Sequence, residues 1–312
     1  MGIKLKNNSP EFDGGEKNDL KKVVFSGQYE DTPEIRELNI EEGVEEICEN
    51  AFRGFSYLES VNFPSTLKQI SACAFMGCEN LKKLNFNSGL IAIQDEAFSS
   101  CSSLNSVILP DTVKRIGEGA FEGCASLSKL KLSESIFTIG SGAFSYCFNL
   151  RYVEIPDSCV HIEFNAFASC FSLEAVKLSE NMGMVDESVF ESCRSLVDIS
   201  LPAGLIKISR RAFRGCSSLK SLILPVALRE IGFDAFADCR ALERISIPNG
   251  VKIIEDDDIF SACDSLKEIS FGGSREEWES LFHNKTLLVE RSDASHFAPR
   301  LTFLNLKKIG EI

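Results

Sequence analysis

The sequence predicts a solenoid, in which one short structural unit is repeated and stacked along an axis. Phenylalanine recurs every 23 residues from Phe52 to Phe236, with a cysteine and a leucine at fixed distances behind nearly every copy. A unit of this length cannot bury its apolar side alone, so its copies must stack into a continuous core. We therefore expect about ten similar coils, although 312 residues would also suffice for two ordinary domains.

Three columns of residues define the repeat. The phenylalanine column comprises Phe52, Phe75, Phe98, Phe121, Phe144, Phe167, Phe190, Phe213 and Phe236, and Phe260 comes one residue late. Cysteine follows three residues later in each coil from Cys78 to Cys263, and Phe55 replaces it in the first coil. Leucine follows after another three residues. This spacing predicts a short, tight helical turn with one buried face.

Each turn is followed by a strand and a return segment. The stretches "SVILP" and "YVEIP" alternate apolar and polar residues, which predicts a strand with one buried face. Proline fits the end of such a strand because it cannot donate a hydrogen bond to its neighbour. The next apolar pair, as in "VKRI", predicts a second extended piece that turns the chain back. At ~4.8 Å between strands, ten coils would form a body roughly 50 Å long.

The pattern divides the chain into three parts. Residues 1–28 are a polar, acidic leader with the composition of a disordered segment, residues 29–272 form the solenoid, and residues 273–312 form a carboxy-terminal cap. The coil that precedes the one with Phe52 opens the solenoid and is atypical, because Tyr29 stands where the others have phenylalanine. A repeat array needs its terminal apolar faces covered, so the tail is the expected lid.

The cap is predicted to begin with a helix. Ser274 and Glu277 have the spacing of a capping box, which satisfies the first backbone N–H groups of a helix. Trp278, Leu281 and Phe282 then follow at helical spacing and would present one apolar face. Further along, Leu301, Phe303 and Leu304 predict a final strand.

The repeat resembles the BspA-like class of leucine-rich repeats. Copies such as "AFEGCASLSKL" and "LPDTVKRIGEGAFEGC" carry the resemblance across residues 35–272, and the segment "FGGSREEWESLF" is similar to the closing segment of that family. The resemblance implies a curved solenoid that binds other proteins, often at microbial surfaces. It therefore implies a cell-surface or secreted location and an adhesion-type role.

The composition limits which classes of partner the protein can bind and bears on where in the cell it is located. A formal net charge of −13 argues against nucleic acid, whose binding rests on clustered Lys and Arg. No apolar run reaches the ~18 residues needed for membrane insertion. The first 22 residues lack the apolar centre of a secretory signal peptide, and 12 free cysteines suit a reducing compartment. Location inside the cell and location at the surface therefore both stay open.

No cofactor, metal site or catalytic centre is predicted. The cysteines are not clustered as in zinc sites, and small apolar side chains filling a slot beside the phenylalanines account for their column. Only three histidines occur, and His161 lies between two apolar residues of a return segment. The acidic run Glu255–Asp258 lacks the spaced ligands of a calcium loop and is interpreted as a solvated bulge that accommodates the one-residue insertion.

The candidate binding site lies where coils five and six depart from the repeat consensus. The position after each cysteine is usually small or polar, but here it becomes aromatic. The predicted partner-binding residues are Lys129, Lys131, Tyr146, Phe148, Arg151, Tyr152 and Phe171. Aromatic and arginine side chains grouped on a surface are typical interface anchors. The alternative is that Phe148 and Phe171 only stack on each other along the edge of the solenoid.

These observations predict a non-catalytic module that binds another protein, with a host protein as one candidate partner. The alternative function is a structural spacer or intracellular scaffold, for which length and stiffness matter and no single patch does. A third interpretation, an enzyme with its site in residues 273–312, is disfavoured because paired acid and base groups are absent from that tail.

Overall fold

The computed structural model describes residues 34–255, 259–281 and 300–303, together with two short strands at 4–5 and 22–23. Its strands stack in parallel from coil to coil, which confirms the predicted solenoid of about ten coils. Each coil runs through a turn segment, a longer strand, a loop and a short return strand. We number the coils by their phenylalanines, so that coil one contains Phe52 and coil ten contains Phe260.

The longer strands form one wall of the solenoid. They are β3 (Glu37–Asn39), β5 (Ser60–Asn62), β7 (Lys83–Asn85), β9 (Ser106–Ile108), β11 (Lys129–Lys131), β13 (Tyr152–Glu154), β15 (Ala175–Lys177), β17 (Asp198–Ser200), β19 (Ser221–Ile223), β21 (Arg244–Ile247) and β23 (Glu268–Phe271). Hydrogen-bonded pairing divides them into four groups, with breaks after β7, β11 and β17.

The return strands form a second wall and are two residues long. They are β2 (Lys22–Val23), β4 (Glu46–Ile47), β6 (Gln69–Ile70), β8 (Ala92–Ile93), β10 (Arg115–Ile116), β12 (Thr138–Ile139), β14 (His161–Ile162), β16 (Met184–Val185), β18 (Lys207–Ile208), β20 (Glu230–Ile231) and β22 (Ile253–Ile254). They form one sheet from β2 to β14 and another from β16 to β22.

The strands pair in a register of one whole repeat. Val153 of β13 lies opposite Val176 of β15, and Ile116 of β10 lies opposite Ile139 of β12. These residues are buried because alternate side chains of a strand point to opposite faces. Equivalent residues therefore lie above one another along the whole stack, and the polar residues on either side of them face solvent.

The phenylalanine column forms a continuous stack inside the solenoid. From Phe52 to Phe260, the ring centroids of successive coils lie 5.0–6.0 Å apart, and the ring planes are inclined by at most 17°. The rings are almost completely excluded from solvent except at Phe260. The predicted stacking of phenylalanine on phenylalanine is confirmed.

The cysteine column is reduced and hydrogen-bonded. All 12 cysteines are free thiols, and those from Cys78 to Cys239 in the column are buried. Each of these donates its S–H to the phenylalanine carbonyl of the preceding coil; the distance is 3.1 Å from Cys78 Sγ to Phe52 O, and 3.4 Å from Cys147 Sγ to Phe121 O. Cysteine thus fills the predicted slot and also ties neighbouring coils together.

The turn segment is not the helical turn that the spacing predicted. In coil five, Cys147 N–H donates to the Phe144 carbonyl at 3.3 Å, but residues Gly142 and Tyr146 on either side of Phe144 both have φ of 60°. Their N–H groups point out of the coil. They donate to carbonyls of coil six at 2.9 Å, so that hydrogen bonds run between coils instead of continuing along a helix.

Two strands lie within the predicted leader. Strand β1 (Lys4–Leu5) pairs antiparallel with β3, and β2 pairs parallel with β4. The rest of the leader and Tyr29 lie outside the described residues. The prediction that residues 1–28 are disordered therefore stays a prediction for most of that segment, while these two strands join the first coil.

At the other end, the predicted helix start and final strand are present. Helix α1 (Arg275–Ser280) begins with a capping box between Ser274 and Glu277. Trp278 is only 2% exposed and its ring lies 5.2 Å from that of Phe271. Strand β24 (Arg300–Phe303) pairs parallel with β23. Phe282, Leu304 and the last three residues of the acidic run, 256–258, lie outside the described residues.

The only helix among the described residues is therefore short. None of the described helical structure is long and apolar enough to cross a membrane. That residues 273–312 act as a lid for the solenoid stays a prediction, because one six-residue helix and one strand of that segment are described.

Replacing Phe144 by Ala should lower the free energy of unfolding by about 3–5 kcal/mol, because it removes one ring from a buried stack and leaves a cavity. Urea denaturation followed by circular dichroism measures this change. The matched control is Phe137→Ala, since Phe137 is 60% exposed and its loss should cost less than about 0.5 kcal/mol. Equal effects of the two substitutions would contradict the stacking argument.

Candidate functional site

The aromatic side chains predicted at coils five and six do come together. The Phe148 and Phe171 rings stack with centroids 5.0 Å apart, and the Tyr146 ring packs edge-on against Phe148 at 6.2 Å. The Arg194 guanidinium carbon lies 4.5 Å from the centroid of Phe171. We call these four residues, Tyr146, Phe148, Phe171 and Arg194, the aromatic edge.

The aromatic edge is built by one position of the repeat. Phe148, Phe171 and Arg194 each follow the column cysteine of their coil, so parallel stacking places them in a row. The edge packing considered as an alternative is therefore present. This stacking does not bury the Phe148 and Tyr146 rings, since Phe148 is 37% exposed and Tyr146 is 47% exposed. An exposed row of aromatic and arginine side chains has the composition of an interface anchor.

The other predicted site residues lie on the neighbouring strand face. Tyr152 is exposed on β13, and its hydroxyl donates to Glu154 at 3.4 Å. Burial and the Glu154 carboxylate raise the pKa of Tyr152. Arg151 lies 3.9 Å from Glu174, a surface pair that contributes little to stability. These residues are polar surroundings for the aromatic edge and do not stack on it.

Lys129 and Lys131 are exposed on β11, one coil before Tyr152. By the 23-residue repeat, Lys129 occupies in its coil the position that Tyr152 occupies in the next. No ion pair or ring contact in the described part of the chain joins either lysine to the aromatic edge. The structure therefore groups the aromatic residues closely and places the lysines beside them on the strand face.

A groove of about 420 Å³ lies along the turn segments of coils three to seven, next to the aromatic edge. We call it the turn groove. It is lined by four carboxylates, two aromatic rings and a set of small residues: Glu96, Glu118, Gly119, Glu122, Ser141, Gly142, Ser145, Tyr146, Phe164, Asn165, Ala168, Ser169, Glu191 and Ser192. Tyr146 belongs to both surfaces, which makes them continuous.

The groove exists because the central coils have small residues at turn positions that carry longer side chains elsewhere. Gly142 and Ser145 of coil five correspond to Arg211 and Arg214 of coil eight. Gly142 also has a positive φ, a conformation that glycine adopts without strain. The missing side chains leave a trough between the remaining aromatic and acidic ones.

The turn groove is strongly acidic at one end. Partial burial and repulsion from Glu96 and Glu118 raise the pKa of Glu122. Among the described residues, Glu118, Glu122 and Glu191 form no ion pair with Lys or Arg. The groove therefore concentrates negative charge that no Lys or Arg of the described residues neutralises.

The described residues contain no arrangement of acid, base and nucleophile typical of an enzyme. His161 Nε2 lies 3.2 Å from Asp186 Oδ2, but the neighbouring Cys159 donates its S–H to the His161 carbonyl. Burial raises the pKa of Cys159 to about 11, the opposite of an activated thiol. No group of three or more potential metal ligands occurs in 34–255, 259–281 or 300–303.

Comparison with protein families decides which kind of solenoid this is. The model described as the BspA type leucine rich repeat region matches residues 22–147, 92–202 and 184–292, with six copies of the repeat. The chain belongs to this family. Leucine-rich repeat proteins generally mediate protein interactions and are typically non-catalytic. The resemblance seen in the sequence is thereby confirmed.

Several solved bacterial leucine-rich repeat proteins are similar to this chain. A leucine rich cell surface protein from Faecalibacterium prausnitzii is 29% identical, with coverage of 80% of this chain and 82% of that one and a TM-score of 0.44. A leucine-rich repeat protein from Bacteroides ovatus is 24% identical, with coverage of 86% and 84% and a TM-score of 0.47. The pneumococcal vaccine antigen PcpA is 22% identical, with coverage of 90% and 86% and a TM-score of 0.48.

No protein of curated function matches the sequence. What the site does is therefore argued from its own residues. Two parts of that site were missed by sequence reasoning in this BspA-type chain. Arg194 could have been found, because it occupies the same repeat position as Phe148 and Phe171. The turn groove gives a weaker signal, since it arises from small residues.

The buried thiols of this BspA-type solenoid should resist alkylation. Burial raises the pKa of Cys124 and of Cys170 to about 12, so these groups hold their protons at neutral pH. Iodoacetamide at pH 7.5 should label the partly exposed Cys48 and Cys73 first, and the buried thiols only after unfolding in urea. Peptide mass spectrometry identifies the labelled sites. Complete labelling of Cys170 in the folded protein would contradict the buried column.

Tyr146 combines an exposed ring with a left-handed backbone, for which a side chain costs about 1–2 kcal/mol. Tyr146→Gly should therefore be about 1 kcal/mol more stable than Tyr146→Ala, because both remove the ring but only glycine relieves the backbone. Urea midpoints of the two variants measure the difference. Greater stability of the alanine variant would contradict the strained conformation.

Proposed function

We propose that this protein is a non-catalytic binding module that recognises another protein through the aromatic edge and the adjoining face of β11 and β13. The observation that carries this proposal is the contiguous group of Tyr146, Phe148, Phe171 and Arg194, in which the Tyr146 and Phe148 rings are exposed. Interfaces concentrate their binding energy in a few such residues. The family's general role in protein interaction supports the same conclusion.

The scaffold beneath the edge favours binding because it is already ordered. The buried phenylalanine stack and the hydrogen bonds between coils hold the exposed rings in place before a partner arrives. Side chains that are fixed in advance lose less entropy on binding. Lys129, Lys131, Arg151 and Tyr152 then supply polar contacts around the anchors. An adhesion-type role at a cell surface is the specific form of binding that the family resemblance implies.

A spacer or scaffold is the second candidate function. It is favoured by the uninterrupted ring stack, which runs from Phe52 to Phe260 without a gap that could act as a hinge. We also propose that α1 helps to cover the last coil, since Trp278 and Leu281 are both buried. A rigid, covered rod suits either function. The sensitivity of the aromatic edge to mutation separates the two.

The double variant Phe148→Ala/Tyr152→Ala should fold normally but lose at least about tenfold in affinity for a partner, because it removes one anchor ring of the aromatic edge and one polar contact beside it. Affinity capture from host or cell extracts, followed by titration of the captured protein, measures the loss. The matched control is Phe137→Ala/Val160→Ala, which removes two exposed apolar side chains from the return wall. Equal capture by the wild type and both variants would mean that the partner binds elsewhere on the solenoid. Failure to capture any partner reproducibly would favour the spacer.

A further inference from the structure

Besides its carboxylates, the turn groove contains an aromatic ring, Phe164, on which no cation of the described residues packs. Comparison of the coils shows this difference. Phe164 in the groove and Phe233 in coil nine occupy the same position of the repeat, three coils apart. Phe233 is covered by Arg210 of the preceding coil, whose guanidinium carbon lies 5.6 Å from the ring centroid. The residue equivalent to Arg210 beside Phe164 is Ser141. Phe164 therefore lacks the cation that its counterpart has, and it is 50% exposed.

The acidic groups show the same contrast. In coil nine, Asp234 accepts from Arg214 at 2.9 Å, and Asp238 lies 3.8 Å from the same guanidinium. The carboxylates of Glu122 and Glu191 form no ion pair among the described residues. The turn side of coils eight and nine thus supplies its own cations to rings and carboxylates, whereas the groove offers both without cations.

We propose that the turn groove binds an extended segment of a partner protein through two Lys or Arg side chains. This inference rests on the proposed binding function and names the kind of partner that fits it. One basic side chain pairs with Glu122 and the carboxylates beside it, and the other pairs with Glu191. The apolar stems and cationic ends of these side chains pack on Tyr146 and Phe164, as Arg210 packs on Phe233.

The length of the groove specifies the spacing of the two basic residues. Glu122 and Glu191 occupy the same repeat position three coils apart, which corresponds to about 14 Å along the stack. In an extended peptide, residues i and i+4 are separated by a similar distance, about 13–14 Å. Between the two carboxylates lie Ser145 and Ala168, whose small side chains leave room for the peptide backbone. The favoured ligand therefore has basic residues four positions apart.

The test uses three fluorescein-labelled, ten-residue peptides in a Gly-Ser background. The first has Arg at positions i and i+4, the second has two adjacent Arg, and the third has Glu at i and i+4. Fluorescence anisotropy at low salt should show tightest binding of the first peptide, by about fivefold over the second. The third should not bind. Equal affinity of the two arginine peptides would overturn the proposal, because attraction to net charge alone does not depend on spacing.

Matched variants locate the binding. Glu122→Gln/Glu191→Gln should weaken binding of the first peptide about tenfold, and Phe164→Ala about threefold, since exposed charge pairs and ring contacts are individually weak. The control Glu134→Gln/Glu180→Gln changes net charge equally, in exposed loops that follow β11 and β15. An equal loss in the control would overturn the proposal. Because loss of charge relieves the repulsion around Glu122, the groove variant should remain folded.

If the turn groove binds a metal ion or a second copy of the chain instead of a peptide, the experiments give different results. Saturable binding of Ca²⁺ alone, lost in the Glu122→Gln/Glu191→Gln variant, would replace the peptide by a metal ion. A dimer in sedimentation velocity that the same variant abolishes would replace it by a second copy of the chain. If the arginine peptide fails but partner capture still requires Phe148 and Tyr152, this inference falls and the proposed function stands. If capture also fails, both fall.

Discussion

The stacking of one buried phenylalanine per coil is the interaction on which the rest of the structure depends. It brings each coil to the same distance and orientation relative to the next, so that strands pair in a register of one repeat. From coil two onward, the column cysteine donates to the phenylalanine carbonyl of the preceding coil and so opposes a shift of that register. Surface residues at the same position of the repeat therefore lie in line along the stack. The surface changes along that line only where the sequence departs from the repeat.

The two candidate surfaces arise from departures of two kinds from the repeat. The aromatic edge arises where larger side chains replace small ones, and the turn groove arises where small ones replace larger ones. The two surfaces meet at Tyr146, on coils whose backbone is held by hydrogen bonds on both sides. A partner contacting both would cover anchors and carboxylates together. Its binding would then combine apolar burial with charge pairing, which gives both affinity and selectivity.

The sequence was sufficient to predict the strands, the stacked columns and the grouping of Phe148 with Phe171. These features depend on buried side chains whose identity repeats, and parallel stacking follows from repetition alone. The turn conformation could not be predicted in this way, because Ser100 and Tyr146 adopt the left-handed backbone that Gly54 adopts elsewhere. The groove escaped detection for a related reason. The groove is open because Gly142 and Ser145 are small residues. A search of the sequence for unusual large or charged residues does not detect such positions.

The left-handed backbone on either side of the phenylalanines from Phe52 to Phe236 also restricts which residues the exposed turn side can carry. At the position two residues after the phenylalanine, Gly, Ser, Asp and Ala occur with φ between 55° and 74°. Valine, isoleucine and threonine are absent there, since a branched Cβ tolerates this conformation poorly. Recognition chemistry at these left-handed positions therefore draws on residues without a branched Cβ, which two residues before the phenylalanine include Glu96 and Arg211. A bulky residue such as Tyr146 occupies this position at a cost in folding free energy that glycine would not incur, so its exposed ring is held there against the preference of the backbone.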